Sequence, residues 1–147
     1  MKTPIISLFL ILSLLSANLV LQAEDTGDTT RHGYFFKRPD GTFLQIEMVG
    51  VRMFFTLLDE NYRPLENVFT RGIMQVDPKG KNKKRMAIQP SKDGFSLQSV
   101  QTIPKPHILE VRGRLFKGDD DQTGEPFFVL YNQHRLEEVE MKPVPEK

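Results

Sequence analysis

The chain has 147 residues, contains neither Cys nor Trp, and carries 20 Lys and Arg against 19 Asp and Glu, a formal net charge of +1. The lack of Cys excludes a disulfide-stapled scaffold, a Cys-based zinc finger and an iron–sulfur site. The small net charge argues against a dedicated nucleic-acid binder, which is usually basic overall. A hydrophobic fraction of 39% argues against a disordered chain.

The first 23 residues predict a secretory signal peptide. Lys2 is their single charged side chain, an apolar run covers residues 5–15, and Ala23 precedes an acidic pair. A positive start, a short apolar centre and a small residue before a polar stretch are the signature of such a peptide. The run is shorter than the about 20 apolar residues that span a bilayer. We therefore expect cleavage after Ala23, no stable membrane span afterwards, and a periplasmic or secreted location; the alternative is an uncleaved N-terminal anchor.

Cleavage after residue 23 would leave 124 residues with 19 cationic and 19 anionic side chains, and thus no net charge. A chain of this length forms one domain with a sizeable core. Residues 24–31 predict a disordered N-terminal segment, residues 32–135 the folded domain, and residues 136–147 a charged C-terminal tail. An exported chain without Cys or an Asn-x-Ser/Thr acceptor site fits a bacterial periplasm.

Short segments with alternating apolar and polar residues, separated by turn signals, run through the folded domain. Strands are predicted at residues 42–48, 51–58, 71–76, 85–89, 95–100, 107–116 and 126–132, with an additional edge strand at 34–36. About seven strands at intervals of about ten residues are typical of an antiparallel sandwich or barrel. We therefore predict an all-β antiparallel β-sandwich and keep a small open barrel as the alternative.

Three histidines, His32, His107 and His134, fall at the ends of predicted strands. Strand ends of a sandwich cluster at two poles, so two of the rings could meet there, and neutral imidazole suits copper, nickel or zinc. The alternative is three ordinary histidines at strand ends. Thioethers also bind copper, but the methionines at 48, 53, 74 and 86 fall on inward positions, which favours core packing.

Two charged loops are candidate binding sites in the sequence. Residues 119–125 imitate the start of a calcium-binding loop, but the twelfth position is Leu130 and no helices flank it. A solvated hairpin loop is therefore favoured, and calcium is not expected. Residues 79–85 hold five cations without interleaved aromatic side chains, which favours a solvent-exposed sheet edge and no nucleic-acid partner.

An aromatic side chain on the solvent side of a strand hints at a protein partner. Phe54 falls on the outward phase of its strand, and exposed apolar patches mark interaction sites. No nucleophile elbow, phosphate loop or adjacent serine–histidine pair occurs in the sequence. The sequence therefore predicts that the protein is not an enzyme, and that an envelope protein binds it at Phe54 or at a sheet edge.

Several segments are similar to those of a known domain family, namely residues 32–33, 40–47, 52–65, 78–81, 88–94 and 107–111. They resemble the small immunoglobulin-like β-sandwich domain of bacterial envelope proteins, which occurs alone or at the start of heavy-metal efflux adaptor proteins. The resemblance covers roughly residues 32–116. It rests on an HG-type start, a strand followed by D-x-x-x-x-P, a Lys/Gly loop and a P-x-x-x-G turn.

This resemblance implies an immunoglobulin-like sandwich of about seven strands. The chain lacks an adaptor hairpin, so the resemblance implies a free-standing domain. It also implies that His32 is the metal-linked residue, with His107 second. The function expected on this basis is a non-catalytic binding or accessory domain of the cell envelope, linked to metal handling. The alternative is a protein–protein interaction module that uses an exposed aromatic face or a sheet edge.

Overall fold

The computed structural model describes residues 30–78 and 81–140. Nine strands and no helix occupy this part of the chain, and each pair of neighbouring strands is antiparallel. Among the described residues there is accordingly no helix that could cross a membrane. The strands are β1 (Thr30–Lys37), β2 (Phe43–Val49), β3 (Arg52–Leu58), β4 (Arg71–Pro78), β5 (Lys84–Pro90), β6 (Ser96–Ser99), β7 (Ile108–Phe116), β8 (Glu125–Asn132) and β9 (Glu137–Glu140).

The nine strands form one hydrogen-bonded sheet in the order β8-β7-β4-β5-β6-β3-β2-β1-β9. Although β8 and β9 stand at opposite ends of that order, only residues 133–136 join them along the chain. A link this short reaches at most roughly 18 Å. The two ends of the sheet must therefore curve toward each other, and the sheet is nearly closed and barrel-like.

This architecture confirms the prediction of an all-β, antiparallel fold. It does not specifically support the immunoglobulin-like form of that prediction, because one continuous ladder joins all nine described strands. An immunoglobulin-like sandwich has two separate sheets that face each other. The strand count also exceeds the expected value of about seven, since β9 and β1, which includes the additional strand predicted at 34–36, add to the series. Strand β1 lies between β2 and β9 and is not an edge strand.

The interior of the curved sheet is filled by one cluster of buried apolar side chains. In β5, Met86 and Ile88 point into this cluster and Pro90 ends the strand, as the alternation predicts. Phe55 in β3 and Phe127 in β8 have ring centroids 5.0 Å apart. Because β3 and β8 are not neighbours in the sheet, this contact crosses the interior, which is a packed core.

The methionines confirm their predicted role in packing. Met53, Met74 and Met86 are buried in the apolar cluster, and the half-buried Met48 packs against it. Flexible thioether side chains fill the irregular gaps of such a core. Met141, the remaining methionine of the expected mature chain, lies outside the described residues.

Strand β1 changes its partner halfway along its length. Its residues 34–37 pair with β2, whereas residues 30–33 pair with β9. The change occurs at Gly33, which has φ +137° and where a Cβ atom would lie 2.7 Å from the carbonyl oxygen of Ile46. Only glycine tolerates both this conformation and this contact. Gly33 therefore directs the two halves of β1 to two different strands.

The pairing of β1 with β9 also corrects the predicted limits of the folded domain. The sequence assigns residues 24–31 to a disordered segment and residues 136–147 to a tail, but residues 30–31 and 137–140 are paired strands. The β9 sequence, EEVE, is short and charged and so carries almost no strand signal. The rest of both segments, like the predicted signal peptide at 1–23, lies outside the described residues.

Two tyrosines bridge the seam where β8 approaches β1 and β2. The Tyr34 hydroxyl accepts a hydrogen bond from the backbone N–H of Asn132, at 3.0 Å. The Tyr131 hydroxyl accepts one from the backbone N–H of Met48, also at 3.0 Å. The pairing of β1 with β2 ends at Ile46, so the backbone N–H of Met48 has no partner in β1. The Tyr131 hydroxyl satisfies this N–H instead. The centroids of the two tyrosine rings lie 5.3 Å apart, so the rings pack against each other at this end of the seam.

An ion pair closes the other end of the same seam. The guanidinium group of Arg38, just after β1, donates to both carboxylate oxygens of Glu125 in β8, at 2.7 and 2.8 Å. It also donates to Asp40 and Thr42 in the following turn, each at 2.8 Å. Charge-assisted, bidentate contacts of this kind are among the stronger polar contacts in proteins. Side chains thus join β8 to β1 and β2 at both ends of the seam.

Candidate functional site

The two histidines predicted to bind a metal have different surroundings. His107 is buried just before β7, and its Nε2 atom lies 3.0 Å from the carbonyl oxygen of Ile103. A carbonyl oxygen only accepts hydrogen bonds, so Nε2 carries the proton and offers no lone pair to a metal. His32 is exposed in β1, and its own carbonyl oxygen accepts a hydrogen bond from Gln45.

Within the part of the chain that the structure describes, no three His, Cys, Asp or Glu side chains are grouped so that they could hold a metal ion. A site shared by His32 and His107 would have to use Nδ1 of His107. The binding of copper, nickel or zinc by this pair stays a prediction.

Phe54 lies on the outward side of β3, as predicted, but it is half-buried. Its cross-strand neighbours are Glu47 in β2 and Gln98 in β6. Further along this side, Tyr62 folds back over the sheet, and its ring lies 4.8 Å from that of Phe43. The sequence pattern identified the outward phase but not the loop that covers part of this side. Phe54 as a contact residue stays a prediction.

Three strongly exposed apolar side chains lie on another part of the outward side, on β4 and β8. Ile73 in β4 and Phe128 and Leu130 in β8 are 56%, 51% and 63% exposed. All three occupy outward positions, since their neighbours along each strand are buried. Together with three nearby arginines they form a surface that we call the arginine face. Its residues are Ile73, Arg85, Arg112, Arg114, Phe128 and Leu130.

The register of four adjacent strands arranges this face in two rows. One row contains Arg85, Gln75, Arg112 and Phe128, and the next contains Ala87, Ile73, Arg114 and Pro126. Residues that are directly opposed on neighbouring strands have Cβ atoms about 5 Å apart. Arg112 therefore stands beside Phe128, and Arg114 stands between Ile73 and Pro126. The face alternates positive charge with apolar surface.

A cavity of about 600 Å³ opens between these rows, and we call it the arginine cavity. Its wall combines the apolar Ile73 with the three arginines Arg85, Arg112 and Arg114. No carboxylate is among its described lining residues. The cavity is thus positively charged, although the whole chain has a net charge of only +1.

The three guanidinium groups are only partly engaged. Arg112 forms an ion pair with Glu110, and Arg114 donates to the carbonyl oxygen of Thr123 at 2.5 Å. Arg85 is exposed and makes no hydrogen bond or ion pair to another described residue. Each guanidinium has five N–H donors, so all three arginines retain donors for a ligand.

A second cavity, also of about 600 Å³, lies farther along the same strands and is called the acidic cavity here. Its wall contains Asp77, Glu110 and Arg135, together with Tyr34 and Leu130. Asp77 and Glu110 are directly opposed on β4 and β7. The Nζ atom of Lys83 lies 3.0 Å from a carboxylate oxygen of Asp77, and Arg112 pairs with Glu110, so nearby cations offset both charges.

Burial changes the pKa of two groups near the tyrosine bridge. Burial raises the pKa of the Glu47 carboxyl above its ordinary value, and the nearby charges of Arg31 and His32 offset only part of this effect. Burial also raises the pKa of the Tyr131 hydroxyl, against the opposing effect of its hydrogen bond from Met48. The tyrosine hydroxyl therefore stays protonated throughout the physiological range.

Comparison with protein-family models, with curated proteins and with solved structures finds no match to this chain. The resemblance to the immunoglobulin-like envelope domain accordingly stays a prediction. The function has to be inferred from the faces and cavities of the described residues. Among these, the arginine face combines exposure, apolar area and uncommitted charge.

Proposed function

We propose that the chain is an exported, non-catalytic binding or accessory domain of the bacterial cell envelope, and that its partner is a protein that docks on the arginine face. The supporting observation is the exposure of Ile73, Phe128 and Leu130 on one side of a sheet whose interior is fully packed. Phe128 and Leu130 are alternate residues of β8 and adjacent on this side, and contiguous apolar patches mark interaction surfaces.

The composition of the face favours a protein partner. Arginine and aromatic residues are enriched where proteins bind each other, and they provide most of the binding energy at many interfaces. Here Phe128 stands beside Arg112, and Ile73 stands beside Arg114. Leu130 extends the apolar surface along the same edge.

The chemistry of the arginine cavity supports a non-catalytic role. Its polar side chains are three guanidinium groups and the amide of Gln75. Guanidinium groups stay protonated in proteins and an amide does not titrate, so none of them acts as a nucleophile or as a general base. Export is supported by the predicted signal peptide at residues 1–23.

The link to metal handling has weaker support than the protein partner. It depends on His32 and, second, on His107, and the Nε2 atom of His107 is engaged by the carbonyl oxygen of Ile103. The immunoglobulin-like relationship is likewise proposed on the similar sequence segments alone.

Site-specific photo-crosslinking in living cells tests the proposed function. A photoreactive amino acid replaces Phe128 on the arginine face, and in a matched control it replaces Phe95, which is 49% exposed in a different part of the molecule. We expect a discrete crosslinked protein adduct from position 128 and not from position 95. Equal adducts from both positions, or none from position 128, would refute docking on this face.

A further inference from the structure

We infer that the partner presents an extended acidic segment whose carboxylates bind Arg85, Arg112 and Arg114, while one of its apolar side chains enters the arginine cavity beside Ile73. This inference rests on the proposed function, because it specifies the chemistry of the protein that docks on the arginine face. It also gives a role to the end of the basic segment at residues 79–85, since Arg85 is its last residue.

Charge complementarity is the first argument for an acidic partner. Three arginines and no carboxylate line the cavity among the described residues. Arginine binds carboxylates through two parallel hydrogen bonds, and this geometry makes it the preferred residue for recognising them. Arg85 has no described anionic partner and is therefore the most available of the three.

The spacing of the arginines favours an extended segment. Arg112 and Arg114 are alternate residues of β7 and point to the same side of the sheet, so their Cα atoms lie about 7 Å apart. Alternate side chains of an extended peptide have the same spacing and also point to one side. A peptide with carboxylates at alternate positions can therefore bind both arginines at once.

The cavity supplies the apolar part of the recognition. Its volume of about 600 Å³ falls in the range of ordinary ligand pockets, and Ile73 and Pro126 form part of its wall. An apolar side chain placed there would be flanked by the arginine rows. Such an anchor surrounded by charged contacts is the usual arrangement of an interface with a few dominant residues.

The surroundings of the face favour a narrow acidic segment over a broad anionic surface such as a membrane. Asp77 and Glu110 lie beyond one side of the arginine rows. The acidic turn that contains Asp121 lies beyond the other side, where Arg114 donates to Thr123 of the same turn. The carboxylates of this acidic turn would repel a flat anionic surface, whereas a segment lying on the rows would avoid them.

Fluorescence anisotropy tests the inference with the protein recovered from the cell envelope after expression of the full chain. The probe is a short synthetic peptide with a central phenylalanine flanked by glutamates, and the matched probe carries lysines instead of glutamates. We expect binding of the glutamate peptide only, weakened by added salt because the contacts are ionic. Arg85→Gln should weaken this binding by about tenfold, since one charge-assisted contact is lost.

The control variant is Lys92→Gln, which also removes one exposed cation but lies in the turn between β5 and β6. It should leave binding of the glutamate peptide unchanged. Ile73→Thr, which keeps the branched shape of an exposed side chain, should also weaken binding because it adds a hydroxyl group beside the apolar anchor. Circular dichroism of each variant should match that of the original chain.

Three results would overturn the inference. The first is that the glutamate and lysine peptides bind equally well, and the second is that Arg85→Gln and Lys92→Gln weaken binding equally. The third is that the protein binds phosphatidylglycerol vesicles through Arg85 but does not bind the glutamate peptide. If a crosslinked adduct still forms at position 128, the arginine face remains a protein-docking surface and only the acidic nature of the partner is wrong. If that adduct is also absent, the proposed function fails as well.

Discussion

The arginine cavity and the acidic cavity have the same volume, about 600 Å³, but differently charged linings: three arginines and no carboxylate line the first, whereas Asp77, Glu110 and Arg135 line the second. They share two strands. On β4, Ile73 belongs to the arginine cavity and Asp77 to the acidic cavity, and on β7 the corresponding pair is Arg114 and Glu110. A shift of four residues keeps the same side of the sheet, and it replaces an apolar side chain by a carboxylate on β4 and a cation by a carboxylate on β7. The small net charge of the whole chain therefore does not show that one cavity is lined by cations alone.

The two cavities also differ in what their residues do for the fold. In the acidic cavity, Tyr34 and Asn132 form the hydrogen bond that bridges the seam of the sheet. In the arginine cavity, the exposed Arg85 makes no contact of that kind with a described residue. The hydrogen-bonding groups of Tyr34 and Asn132 in the acidic cavity are thus committed to structure, whereas the guanidinium group of Arg85 in the arginine cavity is available to a partner. Substitutions at Gly113 in the arginine cavity, at Tyr131 and Asp77 in the acidic cavity and at Glu47 near the tyrosine bridge test how each region contributes to stability.

The largest effect is expected at the base of the arginine cavity. A Cβ atom at Gly113 would lie 2.6 Å from the ring of Phe127 and would also collide with the carbonyl oxygen of Ile73. Gly113→Ala should therefore lower the free energy of unfolding by about 3 kcal/mol, as overpacked cores do. Urea denaturation followed by circular dichroism measures this change.

A second substitution shows whether the ring causes the loss at Gly113. The double variant Gly113→Ala, Phe127→Leu removes the ring that the new methyl group would touch. The two substitutions should then couple, so that the double variant is more stable than the sum of the single effects predicts. If the two changes in the free energy of unfolding simply add, the Phe127 ring does not cause the loss of stability in Gly113→Ala.

The next largest effect is expected at the tyrosine bridge beside the acidic cavity. Tyr131→Phe removes the hydroxyl that accepts the backbone N–H of Met48. Leaving that donor unsatisfied should lower the free energy of unfolding by about 1.5 kcal/mol. The control is Tyr62→Phe, because no described hydrogen bond involves the Tyr62 hydroxyl and its loss should change stability little. Equal effects of the two substitutions would contradict a specific role for the bridge.

A smaller effect, which depends on pH, is expected at Glu47. Because burial raises the pKa of this carboxyl in the folded state, ionisation opposes folding at neutral pH. The contribution of Glu47 to stability should therefore increase as the pH falls through its raised pKa. Glu47→Gln should raise the free energy of unfolding at pH 7. It should also abolish the increase in stability that the original chain shows as the pH falls through the raised pKa of Glu47. Urea denaturation at pH 7 and at acidic pH measures both effects. Glu60→Gln, which removes an exposed carboxylate, is the control.

The smallest effect on stability is expected at Asp77 in the acidic cavity. Asp77→Asn removes an ion pair with the exposed Lys83 but also removes the repulsion between Asp77 and Glu110. These terms oppose each other, and surface ion pairs contribute little, so the free energy of unfolding should change by less than about 0.5 kcal/mol. The glutamate peptide should bind slightly more tightly. A clear loss of peptide binding would contradict the division between the two cavities.

Local patterns in the sequence were sufficient to predict much of the sheet. The alternation that buries Met86 and Ile88 identifies both the strand and its inward side. The proline at 90 marks the end of that strand. These signals depend on neighbouring residues, and the structure confirms them. The same alternation assigns Phe54 to the outward side, but it does not show that the side chain is half-buried there.

The arginine face could not be predicted because it depends on which strands are neighbours. Arg85 and Arg112 are 27 residues apart in the sequence and are brought together only because β4 lies between β5 and β7, with Gln75 opposite both. No local pattern determines that order. The bridge between Tyr131 and Met48, which joins residues 83 positions apart, depends on the closure of the sheet in the same way.

The division of β1 at Gly33 has a consequence for the order of folding. One half of β1 can pair as soon as β2 follows it, but the other half requires residues 137–140, more than 100 residues later in the sequence. Contacts between such distant residues form late, since a long loop must first be closed. If the chain crosses a membrane from its N-terminus, it cannot complete its sheet until nearly all of it has emerged. The strand that appears first therefore has to wait for the one that appears last.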